Sequence, residues 1–122
     1  MTKILLVEDN EMNRDMLSRR LERKGYTVAI AVDGLQGVEM ATADPPALIL
    51  MDMSLPVLDG WEATRRLKAD ERTKHIPVVA LTGHALSQSE GAKIGCDAFV
   101  IKPCLPDTLV AEVKRVLATR TA

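Results

Sequence analysis

Five side chains of this chain are of types that could do chemistry together: Glu8, Asp9, Asp52, Thr82 and Lys102. A carboxylate can attack a phosphoryl group and carry it as an aspartyl phosphate. Such a transfer needs positioning and charge neutralisation more than acid or base work. Asp52 is the candidate nucleophile. Lys102 would neutralise the phosphoryl oxygens, and Thr82 would donate a hydrogen bond to one of them. Glu8, Asp9 and Asp52 set three negative charges against the single positive charge of Lys102. A divalent cation would cancel the excess. Mg²⁺ suits such a place, because it takes oxygen ligands, keeps several waters and accepts a phosphate in its shell. Mn²⁺ is the natural substitute. Each residue alone has a plainer reading: Asp9 as an exposed loop acid or cap, Thr82 as a β-branched strand residue, Lys102 as a solvated charge.

The argument for a site comes from what must position these residues. Four apolar runs each end on one of them. Ile4-Leu5-Leu6-Val7 leads into Glu8-Asp9, and Ala47-Leu48-Ile49-Leu50-Met51 leads into Asp52. Pro77-Val78-Val79-Ala80-Leu81 leads into Thr82, and Ala98-Phe99-Val100-Ile101 leads into Lys102-Pro103. Continuous apolar runs, as opposed to alternating ones, mark parallel strands buried on both faces. In an open α/β sheet, ligands bind outside the carboxyl ends of the strands. The four strand ends would therefore bring the acids, the hydroxyl and the lysine to one edge.

The intervening segments read as helices. The pattern predicts strands over 3–7, 27–31, 47–51, 77–81 and 98–101, with helices over 11–24, 35–43, 60–71, 86–94 and 106–119. Asn10 and Asp59 are candidate N-caps, and Gly25 and Gly95 close helices. Pro45-Pro46 stops the second helix. Leu105, Leu109, Val113, Val116 and Leu117 keep helical period on one face of the last. Gly91 lies inside the predicted 86–94 helix and would soften it by about 1 kcal/mol relative to alanine. Alternating strands and helices predict an α/β fold, a doubly wound parallel sheet with helices on both faces.

Composition narrows the class. At 122 residues, 47% hydrophobic and 27% charged, the chain reads as one globular domain. A net charge of −1 gives no field toward nucleic acid or anionic membranes. Tyr26, Trp61 and Phe99 are too few aromatics for a base-stacking platform. The first apolar run is too short for a signal peptide or membrane span. Cys96 and Cys104 bracket a predicted strand, whose eight steps span roughly 25 Å, against about 7 Å for a disulfide. They do not pair within one chain, and a reducing cytoplasm is the expected compartment.

Taken together, Val7-Glu8-Asp9-Asn10, Met51-Asp52 followed by Leu55-Pro56-Val57-Leu58-Asp59-Gly60, Leu81-Thr82, Gly95-Cys96-Asp97-Ala98-Phe99 and Lys102-Pro103 resemble a response-regulator receiver domain of two-component signalling. The resemblance covers essentially the whole chain. It implies a flavodoxin-like sheet of order 2-1-3-4-5. It implies that Asp52 accepts phosphate from a histidine kinase or a histidine phosphotransfer protein. Asp9 would ligate Mg²⁺ directly, Glu8 through water, with Asp52 and the backbone carbonyl of Ser54 completing the protein ligands. Thr82 would be the switch hydroxyl, Lys102 the phosphate-binding cation and Phe99 the switch aromatic. Phosphorylation would then alter the surface of the fourth helix, fifth strand and last helix toward a downstream protein target.

Some positions depart from the family's commonest pattern. Gly83 stands where alanine is usual and Leu55 where methionine is frequent, while Ser54 and His84 hold the two variable positions that tune phosphoryl lifetime. The charged first helix (Arg14, Arg19, Arg20, Arg23, Lys24) reads as a solvated face, although the family's partners generally dock there. The expected protein is one receiver domain over 1–122 with no output domain, a phosphoacceptor with self-phosphorylation and self-dephosphorylation and no other enzyme activity. A receiver excised from a hybrid kinase or larger regulator is the alternative. A flavodoxin-like cofactor protein fits less well, because Glu8-Asp9-Asn10 is acidic and offers no phosphate cradle.

Overall fold

The computed structural model describes residues 2–83, 95–102 and 105–121. The predicted 86–94 helix with Gly91, together with His84, the Lys102-Pro103 bond and Cys104, lies outside the described residues. Element order is β1 (Lys3–Val7), α1 (Glu11–Arg23), β2 (Thr27–Ala31), α2 (Gly34–Ala43), β3 (Leu48–Asp52), α3 (Gly60–Ala69), β4 (Val78–Thr82), β5 (Ala98–Ile101) and α4 (Pro106–Thr121).

The five strands form one parallel sheet in the order β2-β1-β3-β4-β5, as expected. Successive side chains of a strand face opposite ways, so each apolar run feeds two cores. Ile4, Leu6, Leu48, Leu50, Val79, Leu81 and Val100 face α1 and α4, against Leu17, Leu21, Leu109, Val113 and Val116. Leu5, Val7, Ile49, Met51, Val78 and Ala80 face the other way, against Ala41, Ala63, Leu67 and Ile76. β1, β3 and β4 are covered on both faces and almost wholly buried, whereas the edge strands β2 and β5 are only partly buried, although β5 too is an unbroken apolar run.

Caps fall where expected. The Asn10 side chain accepts from Asn13 N–H, and Asp59 from Glu62 N–H. Gly25, at φ +95°, turns the chain out of α1. Several boundaries differ from the sequence reading by one or two residues. β3 and β4 each run one residue further, through Asp52 and Thr82, because backbone pairing continues as Asp52↔Leu81 and Thr82↔Ile101. α3 stops at Ala69, because Asp70 leaves helical geometry and its carbonyl accepts from Thr73 and Lys74 N–H. Leu105 is not on the buried face of the last helix. It precedes Pro106, which opens α4, and is 72% exposed, while Val110 fills the core instead.

Candidate functional site at the carboxyl edge of the sheet

Glu8 and Lys102 follow directly on β1 and β5, and Asp52 and Thr82 are the last residues of β3 and β4. Glu8, Asp52 and Thr82 are buried, whereas Asp9 is exposed on the loop that follows β1. One carboxylate oxygen from each of Glu8, Asp9 and Asp52 lies within 4.8 Å of the others. Lys102 Nζ donates to Asp52 Oδ2 at 2.8 Å and lies 3.5 Å from Glu8 Oε1. The other Asp52 oxygen, Oδ1, accepts the Ser54 backbone N–H at 3.0 Å. Lys102 is tied in turn to β4, its own N–H donating to the Thr82 carbonyl at 2.7 Å. Glu8, Asp9, Asp52 and Lys102 thus meet through their side chains, and Thr82 and Ser54 join them through their backbones.

The acids are under-neutralised, and their electrostatics record it. Burial raises the Glu8 carboxyl first, and the hydrogen bond and negative charge of Asp52 raise it further. The Asn10 N–H and the charge of Lys102 oppose this only in part, leaving the pKa at about 7. For Lys102, burial disfavours the charge, but the hydrogen bond and charge of Asp52, with Glu8 behind it, outweigh burial and raise the ammonium's pKa. A carboxyl raised this far by burial and by a second carboxylate sits where added positive charge would favour its ionised form. The donor set, all oxygen and mostly carboxylate, fits a hard divalent cation. Glu8, Asp9 and Asp52 are the residues that would hold it.

Phe99 lies on β5 opposite Ala80 in register, half-buried against the core between the sheet and α2 and α3. Thr82 is two residues beyond Ala80 on β4, so its side chain leaves the same face of the sheet as that of Ala80. Gly83 has open space where a Cβ would stand, so the usual alanine would fit. Gly60 could not be replaced as easily. A Cβ there would sit 2.2 Å from the Asp52 carbonyl oxygen, so glycine lets α3 begin against the strand end that carries Asp52.

Two features near the site were not anticipated. Arg14, read as part of a solvated face, donates from Nη1 to the Glu8 carbonyl at 3.2 Å and the Asp9 carbonyl at 2.9 Å. Its position, a helical turn and a half beyond the acids, was the available signal. Val57 adopts φ +66°, a conformation disfavoured for a β-branched residue, and no residue type announces it. Cys96 is a free thiol whose pKa is pushed up to about 11 by burial and by Asp97.

The profile of the response regulator receiver domain matches residues 4–114. The polar-differentiation response regulator DivK of Brucella ovis is 38% identical over 120 residues, 96% of this chain and 98% of that protein. The chemotaxis protein CheY4 of Vibrio cholerae superposes with a TM-score of 0.88 at 30% identity, over 95% of this chain and 98% of that one. The receiver domain of the sensor histidine kinase PA1611 from Pseudomonas aeruginosa, solved with a magnesium ion in its active-site cleft, superposes with a TM-score of 0.81 at 38% identity, over 95% and 93% of the two chains.

Proposed function

We propose, from the premise that this chain belongs to the response regulator receiver domain family, that residues 1–122 act as one phosphoacceptor module with Asp52 as the acceptor. One observation carries this reading. Asp52 is a buried carboxylate at a strand end, held on one oxygen by Lys102 and grouped with two further acids. An Asp52 oxygen forms the new O–P bond as the P–N bond to the donor's phosphohistidine breaks. The imidazole leaves with the electron pair and takes a proton from solvent.

The chain's own groups do the positioning. Ser54 N–H orients the carboxylate, and Lys102, already paired with it, faces the incoming phosphoryl oxygens. Thr82 offers its hydroxyl to one of those oxygens and, with Phe99, forms the switch. Glu8, Asp9, Asp52 and the Ser54 carbonyl hold Mg²⁺, or Mn²⁺ in its place, which when bound supplies the charge neutralisation that a phosphoryl group needs. PA1611's receiver, with magnesium in its cleft, supports this choice of ion. Partners are a histidine kinase or histidine phosphotransfer protein upstream and a protein target downstream. Among the described residues no helix is long and apolar enough to cross a membrane, and we place the module in the cytoplasm.

Incubation with acetyl phosphate and Mg²⁺, read by intact mass, tests the assignment. One phosphoryl unit should be added, and none in Asp52→Asn or without metal. Labelling that survives in Asp52→Asn would move the acceptor elsewhere.

A further inference from the structure

Asp9 is exposed, so packing does little to fix its carboxylate, and its backbone must be held by something else. Glu8 has anchors of its own. Its N–H donates to the Ala31 carbonyl at 3.1 Å, and its carboxylate accepts from Asn10 N–H at 3.2 Å. The Asp9 carbonyl accepts from Arg14 at 2.9 Å, and the same guanidinium nitrogen reaches the Glu8 carbonyl at 3.2 Å. Consecutive carbonyls of an extended chain point to opposite sides. One nitrogen can bond both only if the loop curls, so this contact selects the curled form. Arg14 itself is fixed as the fourth residue of α1, its N–H bonded to the Asn10 carbonyl at 2.9 Å.

We propose that Arg14 is a positioning residue that pre-forms the cation-holding loop, acting through the Glu8 and Asp9 carbonyl oxygens and not on the ion itself. The proposal rests on the magnesium reading given above. It makes a prediction of sign. A guanidinium near the site repels a divalent cation through space, so if charge were its main effect, removing it would tighten binding. If it positions the loop, removing it weakens binding. Partners that orient metal ligands from outside the coordination shell typically contribute about 10- to 100-fold in affinity.

Calorimetric titration with MgCl₂ at pH 8 separates the two. Arg14→Met, which keeps the apolar stem and loses every donor, should bind Mg²⁺ about tenfold more weakly than the wild type. Arg14→Lys should recover part of that loss. The Mg²⁺ needed for half-maximal labelling by acetyl phosphate should rise by the same factor, with excess Mg²⁺ restoring the labelling. Circular dichroism checks that each variant is folded, and Arg14→Ala replaces Arg14→Met if the latter is not. Unchanged or tighter binding in the donor-free variant, with the wild type binding normally, overturns the role of Arg14 alone. Absence of binding by the wild type overturns the magnesium reading and this inference with it.

Discussion

Lys102–Asp52 and Lys68–Asp97, two of the lysine–aspartate pairs at the ends of the strands, are built on opposite principles. At the carboxyl edge, Lys102 meets Asp52 at 2.8 Å, with Glu8 close behind and Asp9 in the same cluster. At the amino edge, Lys68 meets Asp97 at 3.1 Å and donates to the Ile76 carbonyl at 2.6 Å. Asp97 in turn accepts the Val78 N–H at 2.8 Å, so that pair closes its hydrogen bonds and balances its charge. Lys68 and Asp97 thereby join α3, the start of β4 and the approach to β5 into one structural unit. The carboxyl-edge pair is left with surplus negative charge from Glu8 and Asp9, and burial together with the neighbouring Asp52 raises the pKa of Glu8. A balanced pair stabilises the fold; an unbalanced one leaves charge that a ligand could complete. The difference between stability and function here is a difference in what is left over.

The largest test of that contrast reverses the sign of a mutation. A carboxyl whose folded pKa lies above its unfolded value contributes most below the unfolded value and loses that contribution as pH rises. For Glu8 the window runs from 4.5 to about 7. Above it, the ionised side chain costs the metal-free protein about 3 kcal/mol, at 1.36 kcal/mol per pKa unit. Glu8→Gln should therefore stabilise the metal-free chain at pH 8 by up to about that amount while weakening Mg²⁺ binding, as urea denaturation and calorimetry would show. The wild-type loss of stability between pH 4.5 and 7 should also flatten in the variant. Asp70, held at about 2 by Arg72, titrates below this window and does not confuse the comparison.

At the balanced end the sign is ordinary. Lys68→Met leaves the Asp97 carboxylate and the Ile76 carbonyl short of a donor, and should cost about 2 kcal/mol in the same denaturation experiment. It should leave Mg²⁺ affinity at the wild-type value. A fall in Mg²⁺ affinity would join the two ends and blur the contrast. The smallest effect is expected at Leu105, whose exposure removes it from the core, so Leu105→Ser should move stability by less than about 0.5 kcal/mol.

The sheet and the grouping of the acids with Lys102 at its carboxyl edge were legible because burial on both faces writes unbroken apolar runs, and the polar residue ending each run marks the strand's carboxyl end. Asp52 and Thr82 were read as just past their strands because the change to a polar side chain is visible, whereas the continuing backbone pairing is not. Leu105 was misplaced because helical period extrapolates one step past Pro106. Arg14 was read as solvated because its acceptors are backbone carbonyls, which have no letter in a sequence. The Lys68–Asp97 pair was missed for a related reason: charges 29 residues apart carry no pattern until the fold joins them. What could be read were periodicities and run ends. What could not were contacts to backbone and pairings made by topology alone.

The claim that the carboxyl edge is a charge-deficient site awaiting a cation is tested most directly by titrating the metal-free protein with Mg²⁺ at pH 8 and pH 6. At pH 6 Glu8 is mostly protonated and must release its proton as the cation binds. The account predicts one Mg²⁺ per chain at both values, weaker binding at pH 6, and proton release that grows as pH falls from 8 to 6. No binding, or one affinity at both pH values with no proton released, would contradict it.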